Sequence, residues 1–107
     1  MLSEIQRQIT DLIAENQKGS TALYEAEVKL AQAEHELDSV EQRSFIKHEG
    51  TVADRTALAR LEAAEVRLQR DLRKAEANRI RLKIRSLETA LMAMGTQVKL
   101  MQSEMKL

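Results

Sequence analysis

The sequence predicts an all-α protein: a long antiparallel helical hairpin of coiled-coil type that associates with copies of itself. Three observations carry that prediction. Apolar residues recur at alternating steps of three and four along both halves of the chain. Aromatics are only 2% and charged residues 32%, with no proline, which is the composition of long helices. Gly50, one of three glycines, lies near the midpoint in Glu49-Gly50-Thr51-Val52-Ala53-Asp54, where one helical pattern stops and another starts. A length of 107 residues fits one domain, 1–107.

The first helix is predicted over about 3–49, opened by a capping box of Ser3 and Gln6. Its seam places Leu2, Ile9, Asn16, Leu23, Leu30 and Leu37 in one heptad class. Ile5, Leu12, Gly19, Ala26, Ala33 and Val40 form the other. Asn16 either fixes register by needing a polar partner or marks a wet stretch of seam. Gly19 costs a helix only ~1 kcal/mol against alanine, so the helix is expected to run through it. Near the turn the spacing shifts to fours (Leu37, Glu41, Phe45), and Phe45 and Ile46 are expected to pack against Val52 or Leu58.

The turn follows from residue chemistry. Gly50 suits the left-handed position past a helix end, having no Cβ to clash. Thr51 suits the next N-cap, and Asp54, three residues on, completes a weaker form of the capping box. The second helix then runs over about 51–106. Its stripe reads Leu58, Leu61, Leu68 and Leu72, then Ile80, Ile84, Leu87, Leu91, Met94, Val98, Met101 and Met105. The steps from Leu68 to Ile84 are multiples of four, the mark of a stutter that straightens the helix near Arg73 to Arg81. Gly95 is expected to stay helical.

With the turn at residue 50, residue i faces about 100 − i, so Leu2 lies opposite Val98 and the stretch from Leu100 to Leu107 overhangs. A two-helix hairpin covers one stripe of each arm and is a poor monomer. Two or more hairpins are therefore expected to associate, most simply as a dimeric four-helix bundle. Leu91, Met94, Val98, Met101 and Met105 are the candidate interface with a second copy or another protein.

Net charge is zero, but it is divided unevenly. Residues 1–49 hold five basic and ten acidic side chains, and residues 50–107 hold twelve and seven. An acidic arm therefore folds onto a basic one. Arg60, Arg67, Arg70, Arg73 and Lys74 fall across from the acids between Glu25 and Glu41. Beyond them Arg79, Arg81, Lys83 and Arg85 face few acids. With Arg70, Arg73 and Lys74 they are the candidate nucleic-acid contacts, a basic ridge suited to phosphates.

Catalytic chemistry is not expected. His35 and His48 belong to no metal-ligand motif, there is no cysteine, and the glycines are isolated. No cofactor or metal is predicted. No uninterrupted apolar run reaches the ~18 residues of a membrane span, so no membrane partner is expected. The N-terminus shows no signal-peptide pattern, which fits a cytoplasmic setting.

The run FIKHEGTVADRTALA (Phe45 to Ala59), continued by RIRLKIRSLETAL (Arg79 to Leu91), resembles small helical coiled-coil proteins encoded by tailed bacteriophages and prophages. The shared features are a phenylalanine-containing helix end, a Gly-(Ser/Thr)-Val turn, an Asp-Arg pair and a later Ile-Arg-x-Leu-Glu segment. These span about the last two-thirds of the chain. Such proteins have no assigned activity, and some accompany phage replication and recombination functions. The resemblance implies a host-cytoplasmic viral protein and transfers no site residue. The expected function is a non-catalytic interaction or assembly protein that binds protein. The alternative is a nucleic-acid-binding accessory using the basic second helix.

Overall fold

The computed structural model describes residues 2–106 and is all-α: α1 (Leu2–Lys47), α2 (Val52–Glu62) and α3 (Ala64–Lys106). No strand occurs among the described residues. The hairpin divides into two compact units. One is Tyr24–Asn78, and the other joins residues 2–23 to residues 79–106. α1 already includes Ser3 and ends at Lys47, so Ser3 is not its cap, and the helix stops two residues before the expected end.

Within Tyr24–Asn78 the turn is built as its residue chemistry requires. Gly50 has φ 120°, a conformation that side-chain-bearing residues rarely adopt. Thr51 is extended (φ −69°, ψ 160°), and its hydroxyl accepts from the Asp54 N–H at 3.1 Å. Space is not the constraint at Gly50, because the nearest side-chain atoms to an added Cβ are those of Asp54 at 3.8 Å. Gly50→Ala is therefore expected to lower stability by about 1–2 kcal/mol through backbone strain. Urea unfolding followed by circular dichroism measures this, and an unchanged midpoint contradicts it.

The first turn of α2 then sets that helix's rotation. Arg55 donates to the Phe45 carbonyl through Nε at 2.9 Å and Nη2 at 2.7 Å, and its guanidinium lies 4.0 Å from the Phe45 ring centroid. Phe45 is thus partnered by Arg55, while Ile46 and the expected neighbours of both, Val52 and Leu58, are exposed. Counting from Arg55, the covered positions run Ala59, Ala63, Val66 with Arg67, Arg70, Arg73 and Ala77. Ala63 and Ala77 are 0% exposed, because small side chains let the helices approach closely. On α1 the covered positions follow the expected seam: Ala26, Leu30, Ala33, Leu37 and Val40, then Ser44 and His48.

This rotation overturns the first four of the twelve positions in the predicted second stripe. Leu61, Leu68 and Leu72 are 72%, 50% and 54% exposed, and Leu58 is exposed as well. They lie away from the α1 seam, on which Arg and Ala replace them. The apparent stutter from Leu68 to Ile84 is therefore a change of face between two different seams. The covered positions keep alternating steps from Ala63 onward, and the paired steps of four fall earlier, at Arg55-Ala59-Ala63.

At Ala63 the second arm departs from α geometry (φ −89°, ψ 5°), so it is two helices rather than the single one expected. Ala63 N–H still donates to Ala59 O at 3.0 Å, and Arg67 N–H donates to Ala63 O at 2.9 Å. Alanine has no local tendency to break a helix. The change coincides with tertiary ties on both sides of Ala63. Arg67 spans the junction, donating through Nη1 to Arg60 O at 3.3 Å and through Nη2 to Glu41 Oε1 at 2.7 Å. Glu62 meets His48.

In the second unit the expected heptads hold. Ile5, Ile9, Leu12, Asn16, Gly19 and Leu23 are half-buried, as are Ile80, Ile84, Leu91, Met94, Val98 and Met101, and Leu87 is buried. Both α1 and α3 run unbroken through Gly19 and Gly95. A Cβ on Gly19 would stand 3.0 Å from Ile84 Cγ1, so glycine here admits a close-packed isoleucine. Gly19 therefore meets Ile84 rather than Arg81, an offset of three residues from the expected register. The larger offset shortens the overhang, and its Leu107 lies outside the described residues. Asn16 Oδ1 is buried without a hydrogen-bond partner.

Candidate interaction surfaces

On a helix, residues three, four and seven apart share a face. On α3 this places Leu68, Leu72 and Leu82 on the side opposite the hairpin seam, and all three are exposed. Leu61 continues the spacing on α2. Isolated exposed leucines are ordinary, but four at heptad spacing form a stripe of the kind that meets another helix. The leucine repeat was visible in the sequence, whereas its outward direction was not, since that follows from tertiary ties such as Arg55 to Phe45 on α2 and Arg67 to Glu41 on α3.

The tip carries an open groove of about 430 Å³ lined by Glu41, Gln42, Phe45, Ile46, Thr56, Ala59 and Arg60. Next to it, His48 Nε2 and Glu62 Oε1 are 2.6 Å apart, and Lys47 Nζ is 3.9 Å from the same oxygen. The Ser44 hydroxyl, then His48, then the Lys47 charge hold the Glu62 carboxyl below the usual carboxylate range. Ser44 Oγ is buried and outside strict hydrogen-bond geometry, so the His48 contact is the firm one of the pair. A depressed carboxyl pKa stabilises the fold above the usual carboxylate range and loses that contribution as pH falls through the depressed value. Glu62→Gln is therefore expected to be less stable than wild type at neutral pH and equal to it in acid. Urea midpoints across that range test the point, and parallel pH profiles contradict it.

The predicted basic ridge is divided. Arg70 and Arg73 are half-buried in phase with Ala63 and Ala77, and they pair within α3 to Asp71 at 2.7 Å and Glu76 at 3.7 Å. Lys74, Arg79, Arg81, Lys83 and Arg85 are exposed. By spacing, Lys74, Arg81 and Arg85 share one flank of α3 and Arg79 and Lys83 another. Glu41–Arg67 joins the acidic arm to the basic one as expected, and Arg70 and Arg73 do so less than expected because each has a carboxylate on its own helix.

The predicted methionine-rich interface is also partly used within the chain. Met94 lines a cleft with Gln8, Asp11, Leu12 and Glu15 of α1. Leu91, Val98 and Met101 fall in phase with it and are half-buried, whereas Met105 is exposed. Of those five residues only Met105 stands fully outside the seam. Among the described residues no cluster of three or more His, Cys, Asp or Glu has metal-site geometry. No described helix is long and apolar enough to cross a membrane. No family model, curated protein or solved structure matches the chain.

Proposed function

We propose that the protein is a non-catalytic coiled-coil interaction protein that works by binding protein and assembles with itself. The observation that carries this is the outward leucine stripe of α2 and α3. Between Ala59 and Ala77 the second arm turns mainly alanine and arginine to the hairpin seam and leaves its leucines outward, available to an external helix. The phage setting implied by the sequence resemblance supplies the context, an assembly component in the host cytoplasm. The nucleic-acid reading draws on the exposed cations of α3 but is weakened at Arg70 and Arg73, which face the seam and hold carboxylates. Sedimentation equilibrium at micromolar concentration tests the proposal. A dimer or larger species is expected, and a clean monomer overturns self-assembly.

A further inference from the structure

We propose that the leucine face of α3 is covered by the same face of a second copy, running antiparallel and centred on Leu72; this rests on the self-assembly reading above. On this one continuous helix, Glu65, Leu68, Leu72, Ala75, Arg79 and Leu82 succeed one another at steps of three, four, three, four and three. All six are exposed in the single chain. The series is apolar except at two places, and those carry opposite charges at equal distances of seven residues on either side of Leu72. An antiparallel partner centred there sets Leu72 beside the second copy's Leu72, Leu68 beside its Ala75, and Glu65 beside its Arg79. Two-fold symmetry makes the Leu68–Ala75 and Glu65–Arg79 pairs each occur twice, so every charge inside the seam meets its opposite. Within the chain, the contact to Glu65 is a 3.4 Å hydrogen bond from Gln69, which leaves the carboxylate able to accept a second donor. A parallel partner instead stacks Glu65 on Glu65 and Arg79 on Arg79, two like-charge layers within an apolar seam. Charge complementarity thus selects both the occupant and its direction.

The chain has no cysteine, so introduced thiols report position directly. Leu68→Cys and Ala75→Cys chains are mixed and oxidised under a redox buffer. The expected product is the mixed disulfide between the two variants, in excess over either homodimer. A parallel seam gives the two homodimers alone and overturns the inference. A second measurement guards against perturbation by the thiols. Arg79→Glu is expected to weaken dimerisation about tenfold or more, and Glu65→Arg/Arg79→Glu to restore it. A wild-type dimer indifferent to both changes refutes this register while leaving self-assembly standing. A wild-type monomer removes the self-assembly reading itself.

Discussion

Arg55→Ala is expected to lower the unfolding free energy by about 2–3 kcal/mol. Arg55 is part-buried and makes two hydrogen bonds to the Phe45 carbonyl, an acceptor in the last turn of α1. The carbonyls of a last helical turn have no intrahelical donor, so removing Arg55 leaves this one unpartnered at the tip. The guanidinium also covers the Phe45 ring at 4.0 Å. Lysine keeps the charge but not the planar fork, so Arg55→Lys should recover less than half of the loss. Urea unfolding at one fixed protein concentration checks this, since the proposed self-association would make apparent stability concentration-dependent. A loss below ~0.5 kcal/mol, the size of an ordinary surface change, means the lock does not hold the tip.

Leu68→Glu/Leu72→Glu is expected to weaken self-association at least a hundredfold while leaving helix content unchanged. Each leucine is about half exposed in the single chain, so a carboxylate there costs the hairpin little. In the proposed assembly each is covered, and burying a leucine contributes roughly 1.5–3 kcal/mol, where every 1.4 kcal/mol is a factor of ten. Charged side chains at the same sites add desolvation cost. Leu37→Glu makes the contrast. Leu37 is buried in the hairpin seam, so that variant should lose helix and assembly together. Circular dichroism and sedimentation on the same samples separate the two behaviours. If Leu68→Glu/Leu72→Glu assembles like wild type, the leucine face is not the contact.

Much of the fold was legible because its determinants are local. Gly50 and Thr51 mark the turn through backbone conformation and capping, which depend on a few adjacent residues. The α1 seam was legible because one heptad periodicity runs from Ile5 to Val40, before the steps of four near the turn. The second arm was misread between Leu58 and Leu72 for a physical reason. Periodicity identifies a stripe but not the direction in which it points, and this arm carries two. Larger side chains made the leucine stripe the apparent hairpin face. The alanine and arginine stripe forms that face, tied to α1 by Arg55 at Phe45 and by Arg67 at Glu41. A stripe of Ala59, Ala63 and Ala77 interleaved with arginines has little hydrophobic contrast, so nothing in the composition announces it. The same lack of contrast hid the inward placement of Arg70 and Arg73, two of the seven residues of the predicted basic ridge, while the other five are exposed.

Thiol labelling at Leu72→Cys, with Tyr24→Cys as control, most directly tests the claim that the outward leucine face is closed by a second copy. Tyr24 lies on α1 and is 69% exposed, outside the proposed contact. Under reducing conditions until the maleimide is added, the labelling rate at Leu72→Cys should fall steeply as protein concentration rises from nanomolar to micromolar. The rate at Tyr24→Cys should stay constant. Equal, concentration-independent rates at both positions contradict the account.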